Sequence, residues 1–294
     1  MEQNLVGVEL EIQSNTAYSH KVNPPKNTLD LHRTNKCKDK EAKSQPMKKV
    51  TATIQARVGS SRLPGKVMYP LNGEPAIGHV TRRVQAAEQV TNVVVATSTE
   101  PQDEVIYRSA PLCDADVLRG SESDVLSRFV QIVEQHDPDI VVRITGDCPL
   151  IDPRTIDAVT TRLVETGSDY ATNVLKRTFP RGLDVEAFTK NSFEKIQIDA
   201  TEQHHREHVT PYYHENQDQF RLENVTSDEV FNQEWMHNRT DLRLTLDEGP
   251  DYEVLRQVYD NVAYDEILPI QDAVRYVDEQ DLMDVNKHVN QKEI

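Results

Sequence analysis

The 294-residue sequence predicts an α/β fold: a mostly parallel sheet with helices on both faces and a small β-rich insertion. Three observations carry this expectation. Short apolar runs alternate with amphipathic stretches from Val50 onward. The runs at 93–96 and 140–144 are dominated by valine and isoleucine, as strands buried on both faces require. Glycine and proline mark the junctions: Gly146 closes one strand, and Pro153 opens the next helix, where its missing N–H costs nothing.

Taken in order, residues 50–56 read as a strand. Residues 77–90 carry helical spacing at Ile77, Val80, Val84 and Ala87. A strand follows at 93–96, and 124–136 repeats the helical pattern through Val125, Phe129, Ile132 and Val133. The next strand, 140–144, leads to a helix over 153–166. Strands are expected near 183–188 and 242–246, and helices near 204–213 and 252–262. Apolar stripes at 254–259 and 270–277 suit core or a dimer face. The sequence shows no internal repeat.

Residues 1–46 differ from the rest. They hold Pro24-Pro25, scattered Asn and Lys, and few large apolar residues after Val22, although 6–12 alternates enough for a short strand. They read as a disordered or loosely attached extension, or as sequence upstream of a natural start at Met47. The catalytic domain is expected to span 47–294.

Composition narrows the function classes. The chain carries 33 basic and 49 acidic side chains, a net charge of -16. Residues 1–46 hold 7 basic and 6 acidic groups, and 47–294 hold 26 and 43, with only 8 lysines among those 26. So acidic a surface disfavours nucleic acid as a partner and suits solubility at high salt. No apolar run approaches the roughly 18 residues that span a bilayer, and no signal-peptide pattern opens the chain, so a cytoplasmic protein without membrane partners is expected. Cys37, Cys113 and Cys148 are too few and too scattered for a disulfide framework or a structural zinc site.

The most informative stretch is Gln55-Ala-Arg-Val-Gly-Ser-Ser-Arg-Leu-Pro-Gly-Lys66. It follows a buried strand, at the edge where open α/β sheets bind ligands. Gly59 and Gly65 permit close backbone approach, Ser60 and Ser61 add hydroxyls, and Arg57, Arg62 and Lys66 add three cations. Polyphosphate needs this combination. The spacing is not that of a Walker loop, since Gly59 and Gly65 are six apart and Val67 follows Lys66. Asp147 and Asp247 each follow an expected strand at the same sheet edge. A lone Asp there is ordinarily a turn former, but one or two carboxylates with phosphate oxygens and water also hold Mg²⁺. Asp152, Glu248 and Asp251 are weaker candidates, Asp152 reading better as a helix N-cap. His204, His205, His208 and His214 cluster without an H-E-x-x-H pattern and read as surface rather than zinc ligands. Cys148 reads as a small buried side chain.

The string Ile54-Gln-Ala-Arg-Val-Gly-Ser-Ser-Arg-Leu-Pro-Gly-Lys66 resembles the signature loop of the acylneuraminate cytidylyltransferase family, in particular its spore-coat-polysaccharide-type members. The likeness continues through Val95-Ala-Thr-Ser98, Arg119-Gly-Ser-Glu-Ser-Asp-Val125 and Arg143-Ile-Thr-Gly-Asp-Cys-Pro-Leu-Ile-Asp-Pro153. Further blocks are Gly182-Leu-Asp-Val-Glu186, Arg206-Glu-His-Val-Thr-Pro211 and Arg243-Leu-Thr-Leu-Asp247. They occur in family order over about residues 48–280, and together they are strongly specific.

The resemblance implies a Rossmann-like nucleotide-diphospho-sugar transferase (GT-A-like) fold and a homodimer. It implies transfer of CMP from CTP to an acidic sugar of nonulosonic-acid type, with release of pyrophosphate, for surface polysaccharide or glycan synthesis. Mg²⁺ is implied on Asp147 and Asp247, with Arg57, Arg62 and Lys66 spreading the charge on the phosphate oxygens. Thr97, Ser98, Arg119 and Gly120 are implied to flank cytosine and ribose, and Gln55 and the Ala56 backbone to read the base edge. Arg143, Arg181, Asp184, Glu186, Arg206 and His208 are implied on the acceptor side, where Arg181 departs from the acidic or neutral residue common in relatives. Arg177 or Arg181 can pair with a substrate carboxylate, though an exposed arginine is the ordinary reading. Two alternatives stand beside this one: a transferase of the same fold using another nucleotide, and a non-catalytic nucleotide-binding module.

Overall fold

A computed structural model describes residues 48–290. The expectations for 1–46 and for a start at Met47 lie outside the described residues.

Strand β1 (Val50–Gln55) leads through the cation-bearing loop to a hairpin, β2 (Pro70–Leu71) and β3 (Glu74–Pro75), whose Asn72-Gly73 turn takes positive φ at both residues. Helix α1 (Ala76–Gln85), strand β4 (Asn92–Ser98), helix α2 (Glu104–Ser109) and strand β5 (Asp116–Gly120) follow. Helix α3 (Val125–His136) starts where Asp124 accepts the Ser127 N–H at 3.0 Å. Next come β6 (Ile140–Thr145) and α4 (Pro153–Thr166), capped by Asp152 on the Arg154 N–H at 2.8 Å. Strands β7 (Tyr170–Thr172) and β8 (Glu186–Thr189) precede helices α5 (Lys190–Asp199), α6 (Gln203–His208) and α7 (Pro211–Glu215). The described chain closes with β9 (Leu222–Asn224), α8 (Ser227–Val230), α9 (Gly249–Asn261), α10 (Ile270–Glu279) and α11 (Met283–Asn286).

Seven strands form one sheet in the order β5-β4-β1-β6-β8-β7-β9. The β5-β4-β1-β6 half is parallel throughout, and β8 is antiparallel to both β6 and β7. The β-rich part therefore takes two forms, this antiparallel extension and the β2–β3 hairpin. Side-chain alternation splits the core between the two faces. Ile140, Val142 and Ile144 pack with α1, α4, α9 and α10, while Val141 packs with Phe129 of α3, Phe193 of α5 and Tyr213 of α7. The stripes at 254–259 and 270–277 lie in the core: Val254, Leu255, Val258, Ile270, Val274 and Val277 are all buried. Among the described residues no helix is long and apolar enough to cross a membrane.

Three expectations are corrected. Residues 204–213 are two short helices, because Val209 takes φ 69° and Pro211 opens a new helix rather than continuing the old one. Residues 242–246 are not a strand: one bridge pairs Arg243 with Arg181, although Leu242, Leu244 and Leu246 are buried as the alternation suggests. The strand expected at 183–188 begins only at Glu186, because the Asn173 side chain takes the Leu183 carbonyl (2.7 Å) and the Val185 N–H (2.9 Å) that a ladder would use.

Candidate active site

The chain runs from β1 outward to β4 and β5, then returns to β6 on the other side of β1. The carboxyl ends of β1 and β6 therefore flank a topological switch point, where open α/β sheets bind ligands. A cleft of about 880 Å³ opens there. Gly146 lets its walls meet: its N–H bonds Gln55 O at 2.8 Å, and a Cβ would lie 2.9 Å from the Ala56 Cβ.

The loop after β1 is tied down at its start. Asp103, fully buried, accepts the Val58 N–H at 2.7 Å and bonds both the N–H and the hydroxyl of Ser98. Gly65 takes φ 74°, a conformation that favours glycine, and turns the chain into the short 3₁₀ segment beginning at Lys66. Ser60, Ser61, Arg62 and Lys66 all line the cleft.

Lys66 Nζ meets two carboxylates, Asp147 Oδ2 at 2.6 Å and Asp247 Oδ1 at 2.7 Å. Arg62 adds a contact to Asp247 Oδ1 at 2.9 Å, and Arg243 one to Asp247 Oδ2 at 2.6 Å. Burial alone would push the Lys66 pKa down, but the two carboxylates outweigh it and hold it above its ordinary value. Burial likewise opposes ionisation of Asp147, and Lys66 overcomes it, so that carboxyl sits below its usual range. Lys66 thus favours the charged form of Asp147, and the two carboxylates converge on one cation. This hard-oxygen donor pair fits a divalent ion completed by phosphate oxygens and water. Asp251 is committed elsewhere, to Arg243 Nε at 2.9 Å and to the N–H groups of Asp247 and Glu248, and Glu248 pairs with Arg62 at 3.3 Å. Asp152 caps α4 and binds Arg154.

Across the cleft, Arg143 bonds Glu186 and donates to Gln55 Oε1 at 3.3 Å. Tyr170 OH donates to Glu186 at 2.6 Å and lies 2.9 Å from His214 Nε2. Burial opposes the Glu186 charge, yet Arg143 and Tyr170 outweigh it and lower its pKa. Arg177 grips Asp184 with two bonds, 2.6 and 2.9 Å. Arg181 lines the same wall and forms no ion pair among the described residues. Gly182 brings this segment against the 243–247 segment: its φ is 100°, and a Cβ would sit 2.5 Å from the Leu244 carbonyl carbon.

Of the sequence candidates, the structure brings Gln55, Ala56, Arg57, Ser60, Ser61, Arg62, Lys66, Arg143, Asp147, Arg181, Asp184, Glu186, His208 and Asp247 to one cleft. It does not bring Gly59, Thr97, Ser98, Arg119, Gly120 or Arg206 to its lining. Thr97 and Ser98 are buried. Arg119 is held by Glu104 at 2.6 Å and by the Ser98 and Glu100 carbonyls. Arg206 is held by Asp124 at 2.6 Å. Two residues escaped the sequence reading. Asp103 carries no motif. Arg128, on the apolar helix α3, is 1% exposed and nevertheless lines the cleft, its pKa pushed down by burial to about 10.

In the histidine cluster Glu215 accepts from His204 at 2.9 Å and from His205 at 2.7 Å, and the buried His205 Nδ1 finds no partner among the described residues. Cys148 is buried, which together with Asp147 raises its pKa well above the ordinary thiol value.

The family model for cytidylyltransferases matches residues 51–273. The chain belongs to the cytidylyltransferase family. It is 34% identical over 218 residues to the spore coat polysaccharide biosynthesis protein SpsF of Bacillus subtilis, covering 72% of this chain and 87% of that one. Over 113 residues it is 37% identical to the 8-amino-3,8-dideoxy-manno-octulosonate cytidylyltransferase of a Shewanella species, covering 37% of this chain and 45% of that one. The structure of a cytidylyltransferase from Leptospira borgpetersenii matches with a TM-score of 0.74 at 30% identity, over 84% of this chain and 100% of that one.

Three buried or half-buried histidines give this cytidylyltransferase an expected pH dependence of stability. Burial lowers the pKa of His79, His208 and His214 below the ordinary value of 6.5. The unfolded chain therefore binds more protons than the folded one below about pH 6.5, and stability must fall as pH falls through that range. The urea midpoint is expected to drop between pH 7 and pH 5, before the carboxylates titrate. His214→Gln should flatten part of that slope, and an unchanged slope would assign it elsewhere.

Proposed function

We propose that this cytidylyltransferase moves CMP from CTP to a hydroxyl of an acidic sugar of nonulosonic-acid type, releasing pyrophosphate, for polysaccharide or glycan synthesis at the cell surface. The carrying observation is that the Lys66–Asp147–Asp247 cluster shares its cleft with Arg181, a guanidinium without a carboxylate partner among the described residues. The Shewanella relative's name, with its keto-acid octulosonate acceptor, supports the acidic-sugar class.

In this reading Arg57, Arg62, Lys66 and the serine hydroxyls gather the triphosphate of CTP and hold its α-phosphate for in-line attack by the acceptor hydroxyl. Asp147 and Asp247 would hold Mg²⁺, which when bound would supply positive charge toward the phosphate oxygens. Lys66 and Arg62, held beside the same carboxylates, add positive charge next to the phosphates. On the acceptor wall Arg181 takes the sugar carboxylate, while Asp184 and Glu186, oriented by Arg177 and Arg143, accept sugar hydroxyls. Ser98 and Arg119 then act behind the cleft, bracing the loop that Asp103 ties.

The test is pyrophosphate release from CTP, UTP, GTP and ATP with Mg²⁺ over a panel of acidic sugars, at low and high salt. Acceptor-dependent release with CTP alone is the expected result. Release with a different nucleotide would favour the alternative transferase, and absence of nucleotide binding at either salt would sink the proposal. Arg181→Ala is expected to raise KM for the acidic acceptor about 10- to 100-fold, the worth of a charge-assisted hydrogen bond, while KM for CTP holds. An equal rise in both constants would remove Arg181 from the acceptor site.

A further inference from the structure

Asp247 is gripped through both of its oxygens. Lys66 Nζ and Arg62 meet Oδ1 at 2.7 and 2.9 Å, and Arg243 Nη2 meets Oδ2 at 2.6 Å. Arg243 thus occupies one oxygen and leaves the other directed at Lys66, on which Asp147 also converges at 2.6 Å. How the Asp247 carboxylate is turned therefore depends on what holds Arg243.

Arg243 is held by a buried network that ends outside the cleft. Asp251, fully buried near the start of α9, accepts Arg243 Nε on Oδ1 at 2.9 Å. Its Oδ2 accepts the N–H groups of Asp247 and Glu248, both at 3.0 Å. Asn286 of α11 completes the set, its Nδ2 donating to Asp251 Oδ1 and to the Arg243 carbonyl, both at 2.9 Å. These four donors fill the roughly four acceptor sites of a carboxylate, and Arg243 Nη2 adds a longer contact at 3.3 Å. Asp251 fixes the backbone at Asp247, Arg243 fixes its side chain, and Asn286 bonds to both of these residues.

Two observations set this apart from ordinary packing. Asn286 is 2% exposed, in a four-residue helix whose flanks, Leu282 and Val289, are already buried apolar anchors. Burying an amide there costs free energy unless its donors are matched, and an apolar side chain would hold α11 without that requirement. The same segment also reaches the other arginine on Asp247, since the Asn290 carbonyl accepts from Arg62 Nη1 at 3.3 Å. Both guanidinium groups that orient Asp247 are thus tied to residues 286–290, although Asn286 itself does not line the cleft.

We propose that Asn286 is a positioning residue for Asp247, acting through Asp251 and Arg243, so that α11 supports the divalent-ion site without touching a ligand. The inference rests on the nucleotidyl-transfer reading above, in which Asp247 would hold Mg²⁺. A carboxylate free to turn must be ordered each time an ion binds, and one pinned in advance need not be. Residues that pin metal ligands in this way carry about 10- to 100-fold in metal affinity.

The experiment measures the Mg²⁺ concentration that gives half-maximal CTP binding, by equilibrium dialysis, together with the urea midpoint. It compares the unaltered protein with Asn286→Ala, Asn286→Leu and Leu282→Ala. Asn286→Ala is expected to raise the Mg²⁺ requirement about 10-fold, with CTP binding restored at saturating Mg²⁺. Asn286→Leu keeps about the same volume while losing the donors, so it should raise the requirement similarly and serves the same test if the alanine variant does not fold. Leu282→Ala removes an apolar anchor of the same segment, and should lower the urea midpoint while leaving the Mg²⁺ requirement as in the parent. Folded Asn286 variants with the parent's Mg²⁺ requirement would overturn the proposal. An equal shift in Leu282→Ala would also overturn it, by reducing Asn286 to packing. If the unaltered protein bound no CTP at any Mg²⁺ concentration, the nucleotidyl-transfer reading itself would fail, a result distinct from either of these.

Discussion

Asp147→Ala is expected to lower kcat for CMP transfer by about 1,000-fold, or about 4 kcal/mol of transition-state stabilisation. The residue supplies one of two carboxylates that converge on a single cation position, at 2.6 Å from Lys66 Nζ. Without it, Asp247 alone faces Lys66, Arg62 and Arg243, and the cluster becomes more positive by one charge. Such a site repels a divalent ion. The fold should survive, since Asp147 lies at the cleft and Lys66 keeps Asp247. Measured Mg²⁺-dependent CTP binding should fall with kcat, while the thermal midpoint stays within a few degrees. Retention of more than a tenth of the activity would remove Asp147 from the metal and catalytic roles proposed for it.

Gly182→Ala is expected to be the most damaging change to the scaffold, at about 2–4 kcal/mol. Two costs combine. At φ 100° an alanine is strained, and its Cβ would lie 2.5 to 2.7 Å from the backbone of Leu244 and Thr245, which cannot swing aside as a side chain can. Relief requires parting the 181–184 segment from the 243–247 segment, which breaks the Arg181–Arg243 bridge. These segments carry Arg181 and Asp184 on one side and Asp247 on the other, so activity should fall with stability. A urea titration reads the first effect. A midpoint unchanged from the parent would show that the two segments are not held together as described.

Much of this architecture is legible from local pattern. The valine-rich run in β4 is buried on both faces as expected: Val93 and Val95 pack to one side, Val94 and Ala96 to the other. The helix at Pro153–Thr166 has the expected bounds because proline and an aspartate cap mark its start and Gly167 its end. Less was legible where a long-range contact outweighs the local signal. The alternating leucines at 242–246 look like a strand, but Arg181 and Asp147 take their backbone groups in a few contacts rather than a ladder. His204 and His208 do lie in one helix, Gln203–His208, but its expected continuation to 213 is broken at Val209.

The sequence by itself determined the order of strands and helices, the loop from Gln55 to Lys66, the candidate carboxylates and the family. Each of these is written in neighbouring residues: period, caps, and the clustering of glycine, serine and cations. Only the tertiary structure decided how the charges are spent. Lys66 meets Asp147 and Asp247 across 81 and 181 positions of chain, and Arg206 meets Asp124 across 82. Arg177 is consumed by Asp184 while Arg181 is not, and Arg128, unremarkable in an apolar helix, reaches the cleft floor. An ion pair depends on distance in space, and distance in space between remote residues exists only once the sheet has set its strand order.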